Sequence, residues 1–192
     1  MFPLNVPNLL TLFRILLVPV LVVALLDAAP SSSVVAAVVF VAAAVTDGLD
    51  GYIARAQRSI TTFGKVMDPV ADKLLIAAAL ITLVSLDRVA AWVAMVIIAR
   101  EFAVSCLRVA AGAQGVVIPA SPLGKLKTLA QIVAIVCVIV TDAVWADVLL
   151  YVAVVVTLVS GADYFLNFRR RIEDARARMH EERTDRAARA AG

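Results

Sequence analysis

Charge is scarce in this chain. Only 17% of its 192 residues are Asp, Glu, Lys or Arg, while 62% are hydrophobic, and that balance excludes an ordinary soluble domain and points to a membrane protein. Cysteine is almost absent: Cys106 and Cys137 fall in different apolar runs and read as small buried hydrophobes. No disulfide framework, zinc site or redox pair is indicated. The single histidine, His180, sits in a charged stretch and reads as a solvated bystander. The first apolar run lacks a basic lead and a small-residue cleavage site before it, so Leu9 to Leu26 is expected to be a retained helix rather than a removed signal. No internal repeat or low-complexity block is visible, and no nucleic-acid partner is expected.

What is present is a series of long apolar segments. Crossing a hydrocarbon core of about 30 Å takes ~20 helical residues. Six segments are each long enough to span: Pro7–Leu26, Ser32–Ala54, Gly64–Leu86, Val89–Ala111, Leu123–Val140 and Ala146–Leu166. Turn-forming clusters, "DAAPSSS" and "AGAQGVVIPASPLG", separate some of them, and Asp87 with Arg88 marks a tight turn between the third and fourth. The expected fold is all-α, a polytopic six-transmembrane-helix bundle over residues 1–167. Residues 168–192 form a charged, alanine-rich cytoplasmic tail, expected to run as a helix at the membrane surface.

The polar residues are one-sided within each segment. Asn8, Thr11 and Arg14 open the first, Asp47, Asp50 and Arg55 close the second, and Lys65, Asp68, Asp72 and Lys73 open the third. Arg100, Glu101 and Arg108 lie in the second half of the fourth, Lys125, Lys127 and Gln131 open the fifth, and Asp163, Asn167 and Arg169 close the sixth. The polar end alternates, so an up-and-down bundle gathers all of it at one membrane face. Arg55, Arg58, Lys65, Lys125, Lys127 and Arg169 to Arg171 flank that face, whereas Asp27, Asp87, Arg88, Asp142 and Asp147 flank the other. The basic excess makes it the cytoplasmic one, with both termini inside. Ionisable groups within membrane segments are expensive unless they pair or line a wet cavity, so the polar cavity is the expected functional site.

Within "TDGLDGYIARAQRSITTFGKVMDPVADK", Asp47 and Asp50 are three residues apart and Asp68 and Asp72 four. On helices each pair projects from one face. Four neighbouring carboxylates would repel unless a divalent cation lay among them, and oxygen ligands without His or Cys favour Mg²⁺ or Mn²⁺. Arg55, one turn beyond Gly51, suits a phosphate, and Gly48 and Gly51 let a ligand approach the backbone. Thr61 and Gly64 open the third segment, whose N-terminal amides also favour an anion.

These residues resemble the CDP-alcohol phosphotransferase signature, D-x-x-D-G-x-x-A-R, eight residues, then G-x-x-x-D-x-x-x-D, matched here by Asp47, Asp50, Gly51, Ala54, Arg55, Gly64, Asp68 and Asp72. Eight specified positions filled by chance at about 5–8% each give odds of roughly one in a billion. Further stretches, "NVPNLLTLFRILLVP", "DPVADKLL", "AREFAVSCLR" and "LGKLKTLAQ", resemble one bacterial branch, the phosphatidylglycerophosphate synthases, over about Asn5 to Asn167. The resemblance implies that Asp47, Asp50 and Asp68 hold one or two Mg²⁺ ions with help from Asp72. It further implies that Gly51, Arg55 and Thr61 contact the cytidine diphosphate part of CDP-diacylglycerol, that Asp72 is the general base, and that the chain is a homodimer.

The acceptor alcohol must be read from the rest of the cavity. Arg100, Arg108, Lys125 and Lys127 suit a phosphate dianion better than zwitterionic serine, and the branch resemblance selects glycerol 3-phosphate over inositol phosphate or phosphatidylglycerol. Each of these cations also reads as a positive-inside anchor or a partner for Glu101. A membrane prenyltransferase would space its aspartates differently. A cation transporter would place carboxylates along a through-path, whereas the outer halves of these segments lack ionisable groups.

Overall fold

The computed structural model describes residues 6–27, 29, 32–57, 62–113 and 122–191, and every secondary-structure element among them is an α-helix. The helices are α1 (Val6–Leu26), α2 (Ser32–Gln57), α3 (Thr62–Ser85), α4 (Ala91–Ala113), α5 (Pro122–Val140) and α6 (Val144–Ala191). Long runs of Ala, Leu, Val and Ile leave no period-two alternation, and the helix satisfies every interior backbone group internally, as a lipid environment demands. Hydroxyl residues inside the helices donate to the carbonyl one turn back, as Thr46 does to Ala42, Thr82 to Ala78 and Ser105 to Glu101.

The breaks between helices have local causes. After α1 the Asp27 carboxylate accepts from the Ala29 amide, an Asx turn. After α3 the Arg88 amide donates to the Leu83 carbonyl and the Asp87 amide to that of Val84, a Schellman motif whose left-handed residue is Asp87, at φ 56°. Pro122 takes the first position of α5, where its missing N–H is harmless.

The six helices close into a ring: α1 packs on α2, α2 on α5, α5 on α6, α6 on α4, α4 on α3 and α3 on α1. One end of the ring has an apolar interior, with Leu21, Phe40, Leu80, Leu83, Ile135 and Ile139 fully buried. The interior of the other end is polar. Thr11, Arg14, Lys127, Gln131, Thr157 and Ser160 are all buried there, Arg14 to 1% exposure. The outer surface is apolar, carrying Val23, Val38, Val109 and Val155 in the open, the reverse of a soluble bundle.

Three helices among the described residues are long and apolar enough to cross a membrane: Leu9–Leu26, Pro122–Val140 and Val144–Glu173. Shorter apolar stretches, Ser33–Thr46 and Lys73–Ser85, lie in α2 and α3 among the described residues. The charged stretch after residue 167 does not form a separate element. It continues α6 as helix to Ala191, with an Arg169 Nε to Glu173 Oε1 bond of 2.8 Å along one face.

Candidate active site

Two helix ends carry the aspartates. Asp47 and Asp50 lie near the end of α2 and Asp68 and Asp72 near the start of α3, helices that touch and are separated by residues 58–61. Asp50 is seven residues before the last residue of α2 (57 − 50) and Asp68 six after the first of α3 (68 − 62). Asp47 and Asp72 are each ten residues in (57 − 47 and 72 − 62). Counted from those two helix ends, Asp50 and Asp68 lie at similar intervals, as do Asp47 and Asp72. The side chains of Asp47, Asp50, Gly51, Arg55, Asp68 and Asp72 lie outside the described set, as does Thr61 altogether. Among the described residues no group of three or more His, Cys, Asp or Glu is placed to hold a metal, so no second candidate centre arises there.

A second polar cluster lies between α4, α5 and α6. Glu101 Oε1 accepts from Lys127 Nζ at 2.6 Å and from Arg100 Nη1 at 3.1 Å. Arg100 Nη2 continues to Ser160 Oγ at 2.8 Å, and Gln131 Nε2 donates to Thr157 Oγ1 at 2.8 Å. Arg100 needs room to cross onto α6, and Gly161 leaves it: a Cβ there would stand 3.2 Å from Arg100 Cγ. Farther along α4, the Arg108 guanidinium stands 5.8 Å from the centre of the Tyr164 ring. The Tyr164 hydroxyl and Gln131 Oε1 are buried without a hydrogen-bond partner among the described residues. Lys73, the neighbour of Asp72 in sequence, lies within electrostatic reach of Lys127.

The four cations singled out from the sequence therefore fall into two pairs. Arg100 and Lys127 are held by Glu101, while Arg108 and Lys125 are exposed. Sequence reasoning offered Glu101 as a partner for any of the four cations, and the structure pairs it with Arg100 and Lys127. That reasoning passed over Thr157, Ser160, Gly161 and Tyr164, although hydroxyls and a glycine at three- and four-residue spacing in an apolar helix mark one polar stripe.

The family model for CDP-alcohol phosphatidyltransferases matches residues 4–159. The chain belongs to that family. The match takes in all four aspartates of α2 and α3 and the α4 and α5 members of the second cluster, and it stops just short of Ser160. Membership of the CDP-alcohol phosphatidyltransferases makes the chain a membrane phosphatidyltransferase. Among its relatives is the CDP-diacylglycerol--glycerol-3-phosphate 3-phosphatidyltransferase of Bacillus subtilis (strain 168), 42% identical over 180 residues, covering 84% of this chain and 93% of the relative. The Rickettsia felis protein of the same name is 37% identical over 169 residues, with the same coverage. A probable phosphatidylglycerophosphate synthase of Mycobacterium tuberculosis (strain H37Rv) is 42% identical over 167 residues, 83% of this chain and 79% of that one.

Proposed function

We propose that the protein transfers the phosphatidyl group of CDP-diacylglycerol to glycerol 3-phosphate, giving phosphatidylglycerophosphate and CMP. What supports this reading is the placement of the four aspartates on two touching helices, Asp47 and Asp50 near the end of α2 and Asp68 and Asp72 near the start of α3. Their oxygen-only donor set fits Mg²⁺ or Mn²⁺, with Asp47, Asp50, Asp68 and Asp72 as the ligands and enough carboxylates for two ions. Metal held there supplies charge neutralisation for a diphosphate and its departing phosphate. Gly51, Arg55 and Thr61 bind the cytidine diphosphate part. Asp72 accepts the proton of the acceptor hydroxyl as its oxygen bonds to the phosphorus bearing the diacylglycerol, and the bond from that phosphorus to CMP breaks.

The acceptor phosphate is met by the positive field of Arg100, Lys127, Arg108 and Lys125, with the exposed pair, Arg108 and Lys125, in contact with it. The names carried by the relatives and the excess of cations over carboxylates in this cluster support a phosphorylated alcohol. All six helices cross the cell membrane in this reading, with the polar cavity and both termini cytoplasmic and two copies forming a homodimer. Residues 1–167 are the catalytic membrane domain and 168–192 an appended tail. The test is an acceptor panel: purified protein, CDP-diacylglycerol and Mg²⁺, with CMP release measured for glycerol 3-phosphate, inositol phosphate, phosphatidylglycerol and serine. Fastest release with glycerol 3-phosphate is the expected outcome, and faster release with another alcohol would replace it as the acceptor.

A further inference from the structure

The geometry points to a division of labour among the cations: we infer that Glu101 is a positioning residue, a clasp that holds Arg100 and Lys127 so that α4 and α5 present Arg108 and Lys125 in register to the acceptor. This rests on the acceptor reading above and goes beyond it by giving Glu101 the task of fixing where the contacting pair stands.

One carboxylate oxygen, Glu101 Oε1, takes one bond from its own helix and one from α5. Lys127 reaches it from α5 and Arg100 bends back to it along α4, then passes on to Ser160 of α6. All three charged side chains are largely withdrawn from water, at 7% exposure for Lys127, 11% for Arg100 and 14% for Glu101. Two cations on one carboxylate leave a net charge of +1. Removing the carboxylate would raise that to +2 with both cations still buried, which drives the helices apart. Arg108 lies eight residues, about 12 Å, beyond Arg100 on the same helix. It rests over Tyr164, four residues from the Ser160 that Arg100 holds. A slip of α4 along α6 would therefore displace both α4 cations at once. On α5, Lys125 is two residues from Lys127, so the bond that fixes Lys127 also fixes the rise at which Lys125 emerges.

The test is a charge-balanced cycle in the full-length protein in detergent with lipid, reading CMP release against glycerol 3-phosphate and against CDP-diacylglycerol. Glu101→Gln gives the triad +2 and Lys127→Gln gives it 0, whereas the double variant returns it to +1 and keeps two groups able to hydrogen-bond across the helices. Each single variant is expected to raise KM for glycerol 3-phosphate by about tenfold while KM for CDP-diacylglycerol stays within about twofold. The double variant is expected to recover to within about threefold of the wild type, since its partners again match. A Lys127 that touched the phosphate itself would give the opposite pattern: the double no better than Lys127→Gln alone, and Glu101→Gln at or below the wild-type KM. That pattern overturns the inference, and so do wild-type KM values throughout. Should Glu101→Gln not fold, Ser160→Ala removes the second anchor of Arg100 without changing charge. It is expected to raise the same KM about threefold, and an unchanged KM there also counts against the clasp. A wild-type protein that prefers another alcohol would sink the acceptor assignment alone, and the cycle read with that alcohol would still decide on Glu101.

Discussion

Arg88 and Asp142 meet at one end of the bundle in water, and Lys127 and Glu101 meet near the other end out of it. The first pair joins two turns, with Arg88 Nε donating to Asp142 Oδ1 at 2.8 Å and Arg88 Nη1 to the Ile139 carbonyl at 3.1 Å. Its carboxylate side chain is 85% exposed. Beneath it the interior is apolar, and Trp92 of α4 stacks on Tyr151 of α6 with centroids 5.9 Å apart. Such a pair is screened, contributing roughly 0–1 kcal/mol, and the fold there stands on packing. The second pair is withdrawn from solvent and wired to a second cation and a hydroxyl, so breaking it by halves leaves a buried charge. Opposite charges close together mean different things at the two ends. At the exposed end they trim a loop, and at the buried end they set where functional groups point.

The comparison is broken most severely by withholding divalent cations. Activity is expected to disappear with EDTA and to return on addition of Mg²⁺ or Mn²⁺, and full turnover in chelator would remove the aspartates from their role. Asp68→Asn should abolish CMP release while the protein remains folded by circular dichroism and gel filtration, since losing one of four like charges relieves repulsion. Next in size is Asp72→Asn, which keeps shape and an oxygen but cannot take a proton. CDP-diacylglycerol binding is expected to persist while CMP release slows by roughly 10²–10⁴-fold, and wild-type rates would exclude Asp72 as the base. Smaller again, Lys125→Ala is expected to raise KM for glycerol 3-phosphate about tenfold, the loss of one charged hydrogen bond of ~1.5–3 kcal/mol, with little change for CDP-diacylglycerol. Smallest is Asp142→Asn at the other end. It should lower stability by roughly 0.2–1 kcal/mol, less in high salt, and leave turnover alone. A drop in CMP release with that variant would show that the two ends are not separable.

The aspartates could be singled out from the sequence because helical spacing converts three- and four-residue intervals into shared faces; the structure puts the two pairs on α2 and α3, separated by residues 58–61, and their side chains lie outside the described residues. The halves of the second cluster were legible as charges, with Glu101 a candidate partner for each cation, but which cations it holds was not. Glu101 and Arg100 are adjacent, so their bond could be anticipated; Lys127 is 26 residues from Glu101, and its bond depends on how α4 and α5 meet around α6. Packing decides that, and a single sequence shows charge without showing neighbours. The six apolar runs were likewise read within a few residues of the helices, apart from α6. There the change from apolar to charged composition suggests a boundary. A helix needs only good backbone propensity and side-chain pairs one turn apart, and an alanine- and arginine-rich stretch with acidic residues at suitable intervals supplies both.

The length of α6 has a consequence for reach. At about 1.5 Å per residue its 48 residues measure about 72 Å, more than twice a hydrocarbon core of about 30 Å. With α6 crossing the bilayer as proposed and no proline to bend it, the far residues stand some tens of ångströms off the headgroups, several times the roughly 8 Å over which physiological salt lets a charge be felt. Arg169 to Arg171 are close enough to sense an anionic leaflet. In that proposed orientation the part of α6 near Ala191 lies beyond this reach, on the cytosolic side.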